Sequence, residues 1–267
     1  MRQQGLALLM FHDLNGCFPA SGWTKSGPGN QPGSYVGWQA MILPLLEQDN
    51  VHARYDWGSD WWEASNLQLG AIELPIYRCP SAATEPLIAY AAPKPPRPAL
   101  WPNPPLASSD YAALMGIRNV INPVLYPGKE ITRAVLYRNS RVRISDVRDG
   151  TSQTIVVTEC SARPTLWKRR KMLVGTLNDQ GYGWLDSESG FSLDGASNDG
   201  FLQGLGPEQT PCAINATNEN EPYSFHSGGC LFVFADGHAA FKSDSTELAV
   251  LAALTTKAGG EVPESTH

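Results

Sequence analysis

The sequence predicts an α+β fold with an N-terminal helix, an antiparallel β-sheet, long loop insertions and a C-terminal helix. Apolar residues recur at helical spacing near the two ends of the chain, whereas the apolar runs between them are short and separated. These runs do not alternate regularly with helices, so a parallel βαβ sheet is not indicated. The 25 glycines and 21 prolines among 267 residues predict many turns and long connections rather than a helical bundle.

The first predicted element is an amphipathic helix over residues 4–14. Leu6, Met10 and Leu14 recur at helical spacing, and Asn15-Gly16 suits the C-terminal cap of a helix. Because the chain opens directly on this pattern, residues 1–15 are interpreted as the remnant of a longer N-terminal helix. A second helical pattern, VGWQAMILPLLEQDNVHARY, follows a glycine-rich loop, and Pro44 is expected to start a new helix or to kink one.

Three stretches in the middle of the chain are assigned to strand or loop. The segment IELPIYRCPS predicts a short strand that ends at Cys79-Pro80. Residues 93–105 contain seven prolines and are expected to form a stiff, polyproline-like surface insertion. Residues 178–206 are rich in Gly, Asp and Ser and predict a long irregular loop, a kind of segment that is usually functional or flexible.

A strand and the C-terminal helix follow from clearer patterns. Thr154 to Thr158 predicts a strand that leads to Glu159 after a turn at Asp149-Gly150. The segment TELAVLAALTTKAGGE predicts an amphipathic helix that ends at Gly259 and Gly260.

A β-hairpin is the best-defined feature of the C-terminal region. Leu231 to Ala235 carries large apolar groups on both faces, as in a strand that is covered on both sides. Asp236-Gly237 then suits a tight two-residue turn with positive backbone angles, and His238 to Phe241 forms the return strand.

The charge balance excludes a nucleic-acid-binding surface. The chain has 20 Lys and Arg against 26 Asp and Glu, a formal net charge of -6, and no basic face. Its one cationic run, Lys168 to Lys171, is interpreted as a solvated loop, with an anion or polymer contact as the alternative. No apolar run approaches the roughly 18 residues of a membrane span. The chain as given is therefore expected to be soluble.

The five cysteines are spread along the chain without a C-x-x-C pair, so the sequence indicates neither zinc binding nor redox chemistry. At most two disulfides can form, with one thiol left over. An odd count is compatible with an exported protein that has two bridges and with a reduced protein that has none.

His226 is the candidate metal ligand or general base. Glu159, Asn218, Glu219 and Asp236 are the candidate oxygen donors near it if the strands pair as expected. Such an oxygen-rich set suits Ca²⁺ better than zinc, and the loop from residue 186 to residue 199 is a second calcium candidate. The competing interpretation is structural, because a histidine before Gly-Gly commonly fixes a loop and the turn already explains Asp236.

The alternative functional hypothesis is a carbohydrate-binding or carbohydrate-active module. Trp57, Trp61, Trp62 and Trp184 lie in loop-like sequence near acidic residues, and aromatic faces stack on sugar rings. Their structural interpretation is that they pin long loops to a small core. No nucleophile elbow, H-E-x-x-H helix or phosphate-binding glycine loop is present, so the motifs do not support an enzyme.

The chain resembles the prepilin-type proteins with a C-terminal H-X9-DG motif, a domain of unknown function (number 1559) that is abundant in planctomycete-type bacteria. The motif is His226, nine residues, then Asp236-Gly237. The resemblance extends from Gly5 to Val262, so residues 1–267 are expected to form a single domain. Its other segments are GLALLMFHDLNGCFP, WQAMILPLLEQDNVHARYD, YRCPS, ISDVRDGTSQTIVVTE, CAINATNENEPYSFHSGG and LAALTTKAGGEV.

The resemblance implies a pilin-like fold, in which the N-terminal helix packs on the sheet, and a non-enzymatic, pseudopilin-like role at the cell surface or in a secretion apparatus. Members of the family begin with a prepilin signal and an apolar helix that this chain lacks. The full-length protein is therefore expected to be exported, either anchored in the inner membrane or extracellular, with other pilin-like subunits as partners. A polysaccharide is the alternative partner. The resemblance also implies a disulfide between Cys79 and Cys212, with Cys160 and Cys230 as a less secure pair, and by analogy with pseudopilins a bound calcium ion.

Overall fold

The computed structural model describes residues 1–82, 85, 87–88, 95–96, 105–128, 132–209 and 211–261. The predicted α+β class is confirmed. Most of the predicted proline-rich insertion at residues 93–105 lies outside the described residues. Helices α1 to α5 span Arg2–Asn15, Trp38–Met41, Asp49–His52, Ala64–Gly70 and Leu248–Ala253. Strands β1 to β11 span Gly22–Trp23, Val36–Gly37, Leu87–Ile88, Leu106–Ala107, Tyr111–Ile117, Ile155–Glu159, Thr165–Lys168, Lys171–Leu177, Phe191–Leu193, Gly229–Phe234 and Ala239–Ser243.

The N-terminal helix forms where the apolar spacing predicts it. Helix α1 buries Ala7, Leu8 and Phe11 on one face. It ends at Gly16, which adopts a φ of 71° and donates its backbone N–H to the carbonyl of His12. Glycine suits this left-handed position because it carries no Cβ.

Pro44 separates two helical segments, as the sequence predicts. Helix α2 ends at Met41, and a short 3₁₀ helix follows over Leu43–Leu46 with the proline in its first turn. The prediction of a strand in IELPIYRCPS is wrong, because Pro75–Tyr77 forms a 3₁₀ helix. Proline at the start of that segment fixes a helical φ and removes a backbone donor that a strand would need.

The central sheet has the strand order β11-β10-β6-β5-β9. Four strands pair antiparallel, as predicted, but β9 runs parallel to β5. The expected irregular loop at residues 178–206 supplies β9, and much of this segment is buried in the protein. A strand of three residues is too short to show the alternation of a β-strand, so no sequence pattern indicates this pairing.

The two faces of the sheet carry separate hydrophobic cores. Ala113, Val157 and Val233 belong to the core that includes the buried face of α1. Phe232 and Phe234, on the alternate positions of β10, belong to the core that includes helix α5. Because side chains alternate along a strand, the sheet forms the middle layer between α1 and α5.

The predicted C-terminal hairpin is confirmed, with β10 and β11 joined at Asp236-Gly237. The predicted length of the turn, two residues, is wrong, however. Phe234 donates its N–H to the carbonyl of His238, which encloses three residues, and only Gly237 of the turn has a positive φ, of 85°. A glycine in the left-handed region at the end of a three-residue loop is a common hairpin geometry.

Helix α5 is shorter than its sequence pattern suggests. It ends at Ala253, and the Thr255 hydroxyl donates to the carbonyl of Leu251. Threonine hydroxyls that bond to backbone carbonyls compete with the continuation of a helix. None of the helices among the described residues combines the length and the hydropathy that a membrane span requires.

Candidate functional site

Three side chains from distant parts of the chain converge at one end of the sheet. Cys79 follows the 3₁₀ helix Pro75–Tyr77, Glu159 is the last residue of β6, and His226 lies in the loop before β10. One potential ligand atom from each residue lies within 4.8 Å of the other two. In the described part of the chain this is the only group of three or more such residues close enough to hold a metal ion. We call these three residues the Cys-Glu-His cluster.

One nitrogen of the imidazole faces both other members of the cluster. Nε2 of His226 lies 3.1 Å from Oε1 of Glu159 and 3.4 Å from Sγ of Cys79. The other ring nitrogen, Nδ1, lies 3.3 Å from the hydroxyl of Ser81. The thiol, the carboxylate and Nε2 therefore surround a single point.

The cluster is buried on two sides and open on the third. The side chain of Glu159 is fully buried, and that of His226 is 28% exposed. Oε2 of Glu159 accepts the backbone N–H of Leu231 at 2.7 Å. Burial, and then the charge of Glu159, raise the pKa of the Cys79 thiol to about 12. Without a bound cation the thiol is therefore protonated at neutral pH.

Backbone contacts hold the cluster residues in place. The N–H of His226 donates to the Ser224 hydroxyl at 3.2 Å, and the carbonyl of His226 accepts the Arg170 guanidinium. On the other side, Oδ2 of Asp110 accepts the N–H of Cys79 at 2.9 Å and lies 3.1 Å from Arg78. The backbone at both Cys79 and His226 is thus fixed by charged side chains, a favourable arrangement for a preorganised site.

The structure brings together two of the five predicted metal ligands, Glu159 and His226. Asn218 lies elsewhere, because its side chain bonds the carbonyls of Ser161 and Thr165 and accepts the N–H of Trp167. The predicted convergence of all five residues is therefore corrected.

Glu219 and Asp236 also lie outside the cluster. Glu219 is half-buried, and its carbonyl accepts the side-chain amide of Gln203. Asp236 is at the far end of β10, where its Oδ1 lies 2.6 Å from Nδ1 of His238. The length of β10 separates this turn from His226.

The second calcium candidate, at residues 186–199, has no shared centre. Asp186 accepts the N–H of Glu188, Asp194 lies 3.0 Å from Arg118, and Asp199 accepts the N–H of Phe201. Each carboxylate thus caps its own turn or pairs with a guanidinium.

The tryptophans expected to bind sugar are mostly structural. Trp61 and Trp184 are buried, with exposed fractions of 0% and 1%, and their indole N–H groups donate to Ser187 and to the carbonyl of Ile72. The prediction of exposed aromatic platforms at these two positions is wrong, because the indoles fill the core that also packs α1.

Trp57 and Trp62 are half-buried at the edge of the same core. Trp62 packs against Tyr35 and Trp57 against Tyr55, with ring centroids 5.0 and 4.6 Å apart. These contacts do not form a single flat aromatic face.

The disulfide implied between Cys79 and Cys212 is corrected to two free thiols. Sγ of Cys79 faces His226, whereas Sγ of Cys212 lies 2.9 Å from the guanidinium of Arg169. Cys160 and Cys230, the less secure pair, are also free and buried.

The basic run at Lys168 to Lys171 is partly solvated, as expected, because Arg170 and Lys171 are exposed, but it also makes structural contacts. It forms the turn of the β7–β8 hairpin, with positive φ angles at Arg169 and Arg170. Arg170 donates to the carbonyls of Phe225 and His226. This role was not predictable, because no local pattern in the sequence indicates that a basic turn docks beside a loop 55 residues away.

A protein-family model matches most of this chain. The family model described as "Protein of unknown function (DUF1559)" matches residues 1–249. The chain belongs to this family. No curated protein and no solved structure matches the chain. In this DUF1559 chain, His226 and the Asp236-Gly237 pair lie at opposite ends of β10. The histidine belongs to the Cys-Glu-His cluster, and the Asp-Gly turn lies beneath α1.

Proposed function

We propose that the chain is a non-enzymatic, pseudopilin-like subunit that assembles with further pilin-like subunits through α1. The observation that carries the proposal is a second apolar face on this helix. Leu6, Met10 and Leu14 are 59%, 41% and 74% exposed. An exported location, on the inner membrane or at the cell surface, is part of the same proposal.

The exposed residues form one continuous stripe. Residues four apart lie on the same face of a helix, so Leu6, Met10 and Leu14 are stacked along α1. The buried residues of the helix, including Leu8 and Phe11, already pack on the core. Two apolar faces on one helix are typical of a helix with two packing partners, and the stripe favours a partner helix of similar character.

A groove extends the apolar surface at the C-terminal end of α1. Its volume is about 500 Å³. Leu14 and Phe11 line one side, and Met41, Leu45 and Trp57 are among the residues that line the other. A bulky side chain from a second helix would find both an apolar stripe and an adjoining hollow there.

The Cys-Glu-His cluster does not have the features of a cysteine nucleophile. In a catalytic triad the thiol has a lowered pKa, and the acidic residue faces the ring nitrogen that is turned away from the nucleophile. The pKa of Cys79 is raised by burial, and its neighbour Glu159 faces the same imidazole nitrogen. This arrangement does not generate a thiolate nucleophile.

Sedimentation velocity over a range of protein concentrations tests the assembly proposal. We expect the chain to self-associate, and the triple variant Leu6→Gln, Met10→Gln, Leu14→Gln to weaken association at least about 100-fold, since each buried apolar side chain contributes roughly 1.5 kcal/mol or more. Glutamine has a helix propensity close to those of leucine and methionine, so α1 itself should be retained.

The matched control is Met172→Gln, Val174→Gln, which removes two exposed apolar groups from β8. This variant should associate like the wild type. A chain that is monomeric at every concentration, or one that associates equally well without the α1 stripe, would contradict the proposal.

A further inference from the structure

We propose that Cys79, Glu159 and His226 bind one Zn²⁺ ion in a tetrahedral site whose fourth position is open to water. The inference goes beyond the assembly function and rests on different residues. Its starting point is that a thiol, a carboxylate and an imidazole nitrogen from three distant segments meet within 4.8 Å.

The spacing of the donor atoms fits a tetrahedral zinc ion. With Zn–S near 2.3 Å and Zn–N or Zn–O near 2.0–2.2 Å, neighbouring ligand atoms lie roughly 3.3–3.7 Å apart. Nε2 of His226 lies 3.4 Å from Sγ of Cys79 and 3.1 Å from Oε1 of Glu159. The third pair, Sγ of Cys79 and the Glu159 carboxylate, lies within 4.8 Å, so metal binding would draw these two groups together.

The orientation of the imidazole distinguishes a metal site from a catalytic triad. In a triad the nucleophile and the acidic residue face different ring nitrogens. Here the thiol and the carboxylate face the same nitrogen, Nε2 of His226, as ligands of one ion must. Nδ1 is directed to Ser81, the kind of second contact that orients metal-bound histidines.

The buried carboxylate is consistent with a bound cation. Oε1 of Glu159 is buried, and its polar neighbours are the other two members of the cluster, Nε2 of His226 at 3.1 Å and the Cys79 thiol. A buried carboxylate is costly unless hydrogen-bond donors, a cation or a charged partner lie beside it. Oε1 points into the cluster, where a divalent cation would satisfy it.

The donor set selects the class of metal. Calcium and magnesium prefer oxygen ligands alone, whereas zinc binds thiolate, imidazole and carboxylate together. On binding, Cys79 releases its thiol proton to solvent and the sulfur coordinates as thiolate. The exposed side of His226 leaves room for a water molecule as the fourth ligand.

Competition titration with a chromophoric zinc chelator, under reducing conditions, tests the site. We expect one Zn²⁺ per chain, and at least about 100-fold weaker binding in Cys79→Ser, Glu159→Gln and His226→Gln. Ser81→Ala should weaken binding about 10-fold, because it removes only the contact that orients the imidazole. Replacement by Co²⁺ should give a thiolate-to-cobalt charge-transfer band and a tetrahedral d–d spectrum.

The matched controls are Cys212→Ser and His238→Gln, which remove a thiol and an imidazole outside the cluster and should bind zinc like the wild type. If Cys79→Ser or Glu159→Gln fails to fold, two measurements still test the proposal. They are the zinc affinity of His226→Gln, whose position is partly exposed, and the Co²⁺ spectrum of the wild type. The proposal is overturned by wild-type protein that does not compete with the chelator, by unchanged affinity in folded His226→Gln, or by a Co²⁺ spectrum without thiolate charge transfer.

Discussion

Gly5 of α1 lies directly against the backbone of Gly237 in the β10–β11 turn. A Cβ at Gly5 would lie 2.9 Å from Cγ1 of Val233 and closer still to the carbonyl oxygen of Gly237. In the opposite direction, a Cβ at Gly237 would lie 2.8 Å from Cδ1 of Leu9. The helix therefore approaches the hairpin as closely as it does because both residues are glycines.

Gly5→Ala should destabilise the protein by about 1–3 kcal/mol. Alanine favours a helix over glycine by about 1 kcal/mol, but here its methyl group would force α1 away from the turn, and overpacking of this kind is the larger effect. Urea unfolding followed by circular dichroism measures the change. Gln3→Ala, at an exposed position of the same helix, should be nearly neutral. A Gly5→Ala variant as stable as the wild type would contradict the close packing.

A buried carboxyl group predicts the response to pH. Glu221 is fully buried, and its Oε1 accepts the N–H groups of Asp194 and Gly195. Burial raises the pKa of Glu221 well above its usual range, against the effect of these two hydrogen bonds. The neighbouring charges are Asp194, whose own pKa is also raised by burial, and Arg118.

Stability should therefore fall as pH rises above the usual pKa of a glutamate. In that range the native state keeps a proton that the unfolded chain releases, so unfolding is favoured by up to about 1.4 kcal/mol per pH unit for one such group. Glu221→Gln keeps the acceptor and cannot ionise, so its stability should fall less steeply. Urea unfolding between about pH 5 and 8 tests this. Glu219→Gln is the control, and a Glu221→Gln profile parallel to the wild type would contradict the prediction.

Trp61 and Trp62 are adjacent in the chain but should contribute differently to the stability of the protein. Trp61→Ala should cost about 3–5 kcal/mol, as for other buried aromatic residues, which is enough to unfold a marginally stable domain. Trp62→Ala removes a half-buried ring and should cost about 1 kcal/mol. Chemical unfolding followed by far-UV circular dichroism compares the two variants. Equal, small effects would show instead that Trp61 is a surface residue available to a ligand.

Thiol chemistry tests the absence of a bridge between Cys79 and Cys212. The denatured, unreduced protein should contain five titratable thiols. In the native protein, half-buried Cys212 should be alkylated first. Cys160 should react slowly, since it is buried and its pKa is raised by that burial to about 11. Peptide mass mapping after brief alkylation gives the order. A count of three thiols that rises to five after addition of reductant would show that the protein contains a disulfide and would contradict the prediction.

Some features of the fold depend on local sequence and were predictable. Helix α1 needs only the spacing of its apolar residues and the glycine that ends it. The β10–β11 hairpin needs only an apolar run followed by Asp236-Gly237. The length of the turn was not predictable, because Asp-Gly suits both a two-residue and a three-residue loop. Only the register of the two strands distinguishes them.

The candidate site was predicted in part. The sequence predicts that His226 and Glu159 lie close together, because each flanks a predicted strand and the strands are expected to pair. The sequence places Cys79 in a disulfide and Asn218 at the metal, whereas in the structure Cys79 belongs to the cluster and Asn218 does not. Asn218 has a side-chain oxygen that could bind a metal ion. Its amide group instead makes hydrogen bonds to the backbone of Ser161, Thr165 and Trp167, which hold the start of β7 in place.

The sequence by itself determined the fold class, the amphipathic first helix, the C-terminal hairpin and the family resemblance, because each depends on residues close together in the chain. The tertiary structure decided which side chains meet. Cys79 and His226 are 147 positions apart, and their contact depends on the order and register of the strands between them. Local patterns specify elements, whereas the packing of elements against one another specifies the site.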